Sequence, residues 1–430
     1  EIKIGVKVFR VNDRIMQTKN TAKVSNGDLG FIRYIKDDEN GKRVGLDFGV
    51  GRELEYSVED NGYVNIKSDK GLKVMQLTDV HIGGGWMSIK KDAMAINTVA
   101  TMIRGEKPDF VGVTGDISYP VPFQAGTFNN KSGAKIFAEL METLGVYWTL
   151  AYGNHDTEAY SYYTREQLTD FYRSEQYKHC LLQPGPEDVD GVGNQVINIV
   201  NSDGVITRTL ITLDSHSYID GDVLGIRWLY DNIHENQINW YKNVVLDLAK
   251  RNQDAAKALP AAKQKSYAEL EKVVPTSVFF HFPMEEYRLA WTEYVENDYK
   301  DTKNVKYRYG LPGESGKVVY CGIHPDQLFE TMQKLGSTDS TFCGHDHYNN
   351  FSLNYKGINL TYGYSIDYLA YVGIYKQGTQ RGCTILDYDK NGGLDFHQEN
   401  YYQDKYQNDA RESVTMQEIT TSGLPVLDAR

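Results

Sequence analysis

Residues 72–81 read LKVMQLTDVH, an apolar run that ends in Asp79 and His81. Its length and its Leu, Val and Met content are typical of a buried strand, and the ionisable residues come where that strand would end. A stretch with helical spacing follows at residues 90–105, and the next apolar run, DFVGVTGD, again ends in an acid, Asp116. A second helical stretch then leads to a third run, VYWTLAYGNHD. Strands that alternate with helices at this spacing predict a layered α/β fold with right-handed crossovers.

The later part of the chain repeats this pattern of a buried strand with polar residues at its end. TSVFFHFP contains His281, and STFCGHDH ends in His345 and His347. Ligand sites in open α/β sheets form just beyond the carboxyl ends of the strands, so we expect these polar residues to lie close together. Carboxylate, amide and imidazole groups make a mixed oxygen and nitrogen set that suits iron, manganese, zinc or nickel. The candidate ligands are Asp79, His81, Asp116, Asn154, His281, His345 and His347.

Each of these pieces also has an ordinary structural explanation. An Asp-x-His pair often occurs without a metal, a Gly-Asp pair after a strand is often only a turn, and Asn-His-Asp can cap a helix. A single histidine such as His281 can be a core residue with satisfied hydrogen bonds. Five pieces in order, each closing an apolar strand, make chance a poor explanation. Gly115, Gly153 and Gly344 would let the backbone turn sharply and approach the ions, so the sequence predicts a metal site.

The order of the motifs resembles that of a known family. Asp-x-His, Gly-Asp, Gly-Asn-His-Asp, a single strand-end histidine and Gly-His-x-His are similar to the signature of the calcineurin-like metallophosphoesterases, over about residues 71–400. The resemblance implies a four-layer α/β/β/α sandwich with two metal ions at the carboxyl edge of the sheets. By that likeness Asp116 would bridge the two ions. The other ligands would be Asp79, His81 and His347 for one ion and Asn154, His281 and His345 for the second.

The predicted chemistry follows from two cations that lie a few ångströms apart. Such a pair lowers the pKa of a water between them and offsets the negative charge that develops on the phosphoryl oxygens. The resulting hydroxide would attack phosphorus in line, without a covalent enzyme intermediate. His155 suits the general acid that protonates the leaving alkoxide, and Asp156 is predicted to orient its ring. We therefore expect hydrolysis of phosphomonoesters or phosphodiesters with two divalent or trivalent ions of iron, manganese, zinc or nickel.

Two further motifs leave alternatives open. Tyr119 lies three residues after Asp116, as in the purple acid phosphatases, where that tyrosine binds ferric iron. Those enzymes lack the histidine that this chain has at His81, and the two ligands would compete for one position, so the pocket wall is favoured for Tyr119. The motif LDSHS resembles a strand end of secreted and microbial phosphatases in this superfamily. Its Asp214 and His216 either face the pocket or simply close a buried strand.

Residues 1–60 differ in pattern from the rest of the chain. They contain short alternating stretches separated by turn sequences, which is typical of a small barrel. Over residues 7–60 the pattern resembles the SH3-like β-barrel of RecD- and UvrD-type helicases. The chain contains no phosphate-binding Gly-x-x-x-x-Gly-Lys-Ser/Thr loop, so helicase activity does not carry over. The predicted domains are the barrel at 1–66, the metallophosphoesterase catalytic domain at 71–405 and a C-terminal tail at 406–430.

The charge of the chain bears on its partners. Its 430 residues carry a formal net charge of −12, and residues 1–60 hold eleven basic and eleven acidic side chains, so the remainder accounts for the whole deficit. An acidic body disfavours polyanions, so a small phosphorylated substrate is favoured over nucleic acid, with a nuclease as the first rival function. The second rival is a non-catalytic scaffold that binds metals, which the presence of His155 and Asp156 argues against.

The sequence has no apolar run long enough to span a membrane. Its first residues are charged and lack the apolar core of a signal peptide, but the chain begins at Glu1 rather than Met. Its location is therefore open between the cytoplasm and export after removal of a leader. The four cysteines are scattered, and their spacing indicates neither a disulfide framework nor a zinc finger.

Overall fold

The computed structural model describes residues 54–406, apart from 221, 223–224, 317–318, 372–373 and 375–380, and the backbone of five strands nearer the N-terminus. These strands are β1 (Ile2–Ile4), β2 (Lys7–Phe9), β3 (Arg14–Met16), β4 (Leu29–Asp38) and β5 (Gly41–Asp47). β1 and β2 form an antiparallel pair, and β3, β4 and β5 form an antiparallel three-stranded sheet in that order. Short antiparallel strands are thus present here, whereas their closure into an SH3-like barrel stays a prediction.

The main body alternates strands and helices as its sequence predicts. Its strands are β6 (Tyr56–Val58), β7 (Val64–Lys67), β8 (Leu72–Leu77), β9 (Phe110–Thr114), β10 (Tyr147–Ala151), β11 (Gln195–Val200), β12 (Ile206–Thr212), β13 (Thr276–Phe279), β14 (Val305–Tyr309), β15 (Thr338–Cys343), β16 (Ser352–Tyr355), β17 (Ile358–Tyr362), β18 (Gly382–Tyr388) and β19 (Leu394–Asn400). Its α-helices are α1 (Ile89–Glu106), α2 (Pro122–Ala125), α3 (Asn130–Leu144), α4 (Arg165–Tyr172), α5 (Glu235–Lys257), α6 (Ala261–Gln264), α7 (Glu285–Glu296) and α8 (Leu328–Leu335).

Two sheets form the centre of the main body. The five-stranded sheet has the order β10-β9-β8-β18-β19, and β8, β9 and β10 run parallel to one another. The nine-stranded sheet has the order β14-β16-β17-β15-β13-β12-β11-β7-β6, with β12, β13, β15 and β17 parallel. Because parallel strands end at the same edge of a sheet, the residues that follow β8, β9, β10, β13 and β15 can meet at one site.

Three hydrophobic clusters hold the sheets and helices together. Between the sheets, Val74 and Phe110 of one sheet share a buried cluster with Leu210, Phe279 and Phe342 of the other. A second cluster joins the five-stranded sheet to α1 and α3, and a third joins the nine-stranded sheet to α5, α7 and α8. The order of the layers is therefore α/β/β/α, which confirms the predicted sandwich.

Helix α1 shows how the spacing of apolar residues determines which face is buried. Met94, Val99 and Ile103 are at most 2% exposed, whereas Ile96 is only partly buried. Burying a side chain of this size stabilises a fold by roughly 1.5–3 kcal/mol relative to leaving it exposed. The helix ends at Glu106, because the left-handed φ of 52° at Lys107 breaks the helical geometry while the Lys107 N–H still donates to the Ile103 carbonyl.

The N-terminal boundary of the main domain lies earlier than predicted. β6 and β7 are the last strands of the nine-stranded sheet, where β7 runs parallel to β11. Val64 and Ile66 of β7 are fully buried between the two sheets. The assignment of residues up to 66 to the N-terminal barrel was wrong, because short alternating strands look alike in sequence and their pattern does not show which sheet they join.

The C-terminal boundary shifts by a smaller amount. Tyr406, predicted as the first residue of the tail, is 1% exposed, and its hydroxyl donates to the Glu106 carboxylate at the end of α1. It is therefore part of the main domain, and the rest of the predicted tail lies outside the described residues. Within the described part of the chain, no helix combines the length and the apolar character that crossing a bilayer requires.

Candidate metal centre

Polar residues that follow five strands meet where the carboxyl ends of the two sheets come together. Asp79 and His81 follow β8, Asp116 follows β9, and His347 follows β15. Ligand atoms of these four side chains all lie within 4.8 Å of one another, and all four side chains are buried. The structure therefore brings together, from three strands, the four residues expected around one ion.

The remaining candidates lie on the other side of Asp116. His281 Nε2 is 3.1 Å from Asp116 Oδ2 and 3.1 Å from Asn154 Oδ1, and the His345 ring centroid is 5.2 Å from that of His281. Asp116 Oδ2 is also 3.3 Å from His81 Nε2, so this carboxylate lies between the two groups. Its position is the one that a bridging ligand requires.

Four of the candidate ligands have a left-handed backbone. Their φ angles are 49° at Asp79, 53° at His81, 55° at Asp116 and 74° at His345. A residue other than glycine held in this region costs roughly 1–3 kcal/mol, which the surrounding fold has to offset. Such strain concentrates at functional sites. Here the left-handed backbone at the strand ends directs these side chains toward one another.

Glycines make the close approach of the strand ends possible. A Cβ on Gly115, whose φ is +90°, would lie 2.4 Å from His281 Nδ1, and one on Gly153 would lie 2.1 Å from Asp116 Oδ1. A Cβ on Gly344 would lie 1.9 Å from the Thr78 hydroxyl oxygen. All three distances are far below van der Waals contact, so any larger residue would push the candidate ligands apart.

An unpaired polar atom and the charges of its neighbours bear on whether the cluster fits a metal ion. Asp79 Oδ1 is buried and makes no hydrogen bond within the described part of the chain, an arrangement that costs about 1–3 kcal/mol unless an ion binds there. Burial and the neighbouring His281 hold the pKa of His345 well below its usual value, and burial lowers the pKa of His81. Burial would raise the pKa of Asp116, but His281 and His155 outweigh it and hold that pKa well below its usual value. His345, His81 and Asp116 thus favour the forms that bind metals, neutral imidazole and ionised carboxylate. Against the effect of burial, Asp116 raises the pKa of His281 to about 9 and Asp79 raises that of His347 to about 9, so an ion would have to displace a proton from each of these two rings.

Comparison with protein families shows what this arrangement belongs to. The family model of the calcineurin-like phosphoesterases matches residues 72–349, which is most of the main body and includes all seven candidate ligands. The chain belongs to the calcineurin-like phosphoesterase family.

Individual relatives are more distant. The chain is 24% identical over 334 residues to the "Probable inactive purple acid phosphatase 28" of Arabidopsis thaliana, and this alignment covers 72% of the chain and 73% of the plant protein. It is 28% identical over 309 residues to the "Phosphatase DCR2" of Saccharomyces cerevisiae, and that alignment covers 67% of the chain and 46% of the yeast protein. A dimetal phosphatase from Danio rerio aligns with 77% of this chain and 99% of its own, at 11% identity and a TM-score of 0.45, a likeness too weak to support an inference.

The structure corrects the role predicted for Asp156. Its carboxylate accepts hydrogen bonds from the backbone N–H groups of Asp116, Ser118 and Gly153, at 3.0, 2.9 and 2.9 Å. The His155 ring is instead paired through Nδ1 with Glu158 Oε1, at 2.7 Å. Residues 155–157 form a 3-10 turn, in which side chains one residue apart point in different directions and those three apart share a face, so the partner is Glu158.

Tyr119 and the LDSHS motif, for which the sequence left alternatives, both lie near the proposed metal site and make different contacts. Tyr119 stacks on His81 with 4.5 Å between ring centroids, and its hydroxyl donates to Gln124 at 2.7 Å, which supports a place in the pocket wall. Asp214 forms a buried ion pair with Arg165, whose Nη2 donates to the Gly153 carbonyl at 3.1 Å. Asp214 therefore braces the loop that carries Asn154.

Two residues that sequence reasoning missed hold the candidate ligands in place. Asp367 Oδ2 is 3.0 Å from His347 Nδ1, and its Oδ1 is 3.5 Å from His81 Nδ1. The Tyr218 hydroxyl accepts a hydrogen bond from Asn154 Nδ2 at 3.0 Å, which leaves the amide oxygen turned toward His281. The one sequence signal for Asp367 is a single acid in the aromatic stretch TYGYSIDYLAY, and Tyr218 has none.

Proposed function

We propose that this phosphoesterase uses two transition-metal ions to hydrolyse small phosphomonoesters or phosphodiesters. The observation that carries the proposal is the buried cluster of carboxylate and imidazole groups, with His155, whose side chain is 22% exposed, beside it. The ligands that we propose are Asp79, His81, Asp116 and His347 for one ion, and Asp116, Asn154, His281 and His345 for the other.

When bound, two such ions would supply an activated water and positive charge for the phosphoryl oxygens. The protein has to supply a proton for the leaving oxygen, and His155 is fixed for that task. Its backbone N–H donates to Asp116 Oδ1 at 2.8 Å, and its Nδ1 is held by Glu158. A carboxylate at Nδ1 favours a ring with protons on both nitrogens, so Nε2 would give its proton to the leaving group.

Small esters suit the surroundings of the centre better than nucleic acid does. The rings of Tyr119 and Tyr371 lie 4.5 and 4.3 Å from those of His81 and His347, so the walls are aromatic. The net charge of −12 opposes the approach of a polyanion such as DNA. An aromatic wall beside a cationic centre is suited to an ester that joins one phosphate to a compact organic group.

The acid role of His155 is tested by comparing leaving groups. In His155→Ala, we expect turnover of alkyl phosphates to fall roughly a hundred- to ten-thousand-fold, because their leaving oxygen needs a proton. A nitrophenolate is already stable as an anion, so the loss on nitrophenyl phosphate should be much smaller. The ratio of the two rates is measured with metal content determined on the same samples. Equal losses on both substrates, or loss of an ion, would show that His155 is not the acid.

Glu158→Gln and Asp156→Asn form a matched pair for the same experiment. Glu158→Gln should give a partial version of the His155→Ala pattern, because it loosens the ring that Glu158 holds. Asp156→Asn should instead reduce both rates together, since that carboxylate binds backbone amides. A leaving-group effect in Asp156→Asn alone would restore the role predicted from the sequence.

A non-catalytic scaffold is the rival that the plant relatives raise, because three of them carry the words "Probable inactive" in their names. Those words describe the plant proteins, and this chain has all seven proposed ligands together with His155 and Glu158. A scaffold would bind metal ions and would hydrolyse neither alkyl phosphates nor nitrophenyl phosphate. Turnover on a panel of aryl phosphates, alkyl phosphates, cyclic nucleotides and single-stranded DNA separates it from the proposed enzyme and from a nuclease.

A further inference from the structure

A second group of metal-binding side chains lies in the loop between β12 and α5. Ligand atoms of His216, Asp231 and His234 all lie within 4.8 Å of one another. His216 comes shortly after β12, whereas Asp231 and His234 come just before α5. None of the three belongs to the seven residues proposed for the two-metal centre, and all three are only partly buried.

One measured separation in this group matches that of two ligands around one ion. His234 Nε2 is 3.2 Å from Asp231 Oδ2. Two donors that each lie about 2.0–2.1 Å from a tetrahedral Zn²⁺ are separated by roughly 3.3 Å. The His216 and His234 rings are stacked, with 4.0 Å between centroids and 19° between planes, and each offers a nitrogen within 4.8 Å of a carboxylate oxygen of Asp231.

One nitrogen of each ring is held by an oxygen atom. His234 Nδ1 is 2.8 Å from Asp190 Oδ2, and His216 Nε2 is 2.9 Å from Gln237 Oε1. An oxygen acceptor on the far nitrogen of a histidine fixes the ring and its tautomer, and it is the usual support of a metal-binding imidazole. His216 also has a left-handed φ of 62°, which brings its side chain toward His234 at some cost in backbone strain.

We propose that His216, Asp231 and His234 bind a third metal ion, of the zinc type, separate from the two-metal centre. Two imidazoles and a carboxylate are a donor set that Zn²⁺ accepts, with a water in the fourth position. Asp190 and Gln237 position the two rings and do not touch the ion.

The location of the site gives it a structural role. Backbone hydrogen bonds from Asp231 to Ser217 and from Ile219 to Leu229, at 3.1 and 3.0 Å, close the base of the loop. Two tyrosines of the loop contact proposed ligands. Tyr218 accepts a hydrogen bond from Asn154, and the Tyr230 ring lies 4.5 Å from the His345 ring, measured between centroids. An ion bound by His216, Asp231 and His234 joins both ends of this loop and so fixes two residues that contact proposed ligands of the second ion.

Zn²⁺ stoichiometry tests the proposal on the full chain. The protein is dialysed against Zn²⁺ and its metal content is measured by elemental analysis for wild type, His234→Ala and His397→Ala. His397 is a matched control, since it is an exposed histidine that also pairs with an acid, Glu399, at 3.2 Å. We expect one ion fewer per chain in His234→Ala than in wild type and His397→Ala. Asp190→Asn should keep the ion but bind it roughly 10–100-fold more weakly.

Hydrogen exchange gives a second readout that does not depend on activity. Zn²⁺ should slow amide exchange around Ser217, Leu229 and Asp231 in wild type and in His397→Ala but not in His234→Ala. Equal stoichiometry and equal exchange in all three folded proteins would overturn the proposal. Asp116→Ala should retain this ion while it loses the others, so a failure of the proposed function and a failure of the third site give different results.

Discussion

The two halves of the proposed metal centre are supported in different ways. The half formed by Asp79, His81 and His347 rests on Asp367, a buried carboxylate that faces both imidazoles. That carboxylate also accepts hydrogen bonds from the backbone N–H groups of residues 369, 370 and 371, at 2.8, 2.9 and 2.7 Å. Burial alone would raise the pKa of Asp367, but His81, His347 and these amides hold it well below its usual value. This half therefore has a fixed negative charge behind its ligands.

The other half rests on neutral groups. His281 Nδ1 is 2.8 Å from the Thr114 carbonyl, and Asn154 is held by the Tyr218 hydroxyl. The His345 ring packs against Tyr230 and Phe282, with centroids 4.5 and 4.6 Å away. A charged acceptor makes an imidazole a stronger ligand than a neutral one does. We therefore expect the first half to bind its ion more tightly, and the second half to depend on how the loop that carries Tyr218 and Tyr230 is placed.

The largest effect is expected from Asp116→Ala, which should remove the difference between the halves. Asp116 lies 3.3 Å from His81 and 3.1 Å from His281, so its loss weakens both sites together. Activity should fall by about a hundred- to a thousandfold or more. Metal content measured by elemental analysis should fall for both ions of the centre, and a full metal load in this variant would contradict the bridging position.

Asp367→Asn should affect one half only. The amide keeps the shape of the carboxylate but removes the charge behind His81 and His347, so the affinity for the first ion should fall roughly 10–100-fold. The affinity for the second ion should change little. Competition with a chelator, followed by metal analysis, measures both affinities. Equal weakening of the two ions would show that the halves are not supported separately.

The smallest effect is expected from Tyr218→Phe. This change removes the hydrogen bond that Tyr218 accepts from Asn154, which is worth about 0.5–1.5 kcal/mol, so the affinity for the second ion should fall by roughly two- to tenfold. It also removes the longer hydrogen bond that Tyr218 donates to Glu158, at 3.3 Å. The first ion and the thermal stability should be close to those of wild type. The same chelator competition tests this, and a larger loss of the first ion than of the second would reverse the assignment of Tyr218.

Much of this site could be predicted because its ligands are local features of the sequence. Each of Asp79, Asp116 and His281 follows an apolar run that could hardly be anything except a buried strand, and strand ends converge by topology. The supporting residues could not be predicted in this way. Asp367 lies 20 residues from His347 and Tyr218 lies 64 residues from Asn154, so only the folded chain brings them together.

Neighbours in sequence misled the prediction in two places. Asp156 is adjacent to His155, but the 3-10 turn directs the two side chains apart. The strands β6 and β7 follow the short N-terminal strands without a break in pattern, yet β7 pairs with β11 of the main domain and β6 pairs with β7. In both cases the local pattern was read correctly and the tertiary partner was not, because partner choice depends on burial and geometry that spacing does not encode.

The three hydrogen bonds that Asp156 accepts have a consequence for metal exchange. They tie the backbone at Asp116 and Ser118, after one strand, to Gly153, after the next. The separation of Asp116 and Asn154 is thus set by the polypeptide before any ion arrives. Ions of different radius must adapt to a preset spacing, and replacing one metal by another should change reactivity more than it changes the shape of the protein.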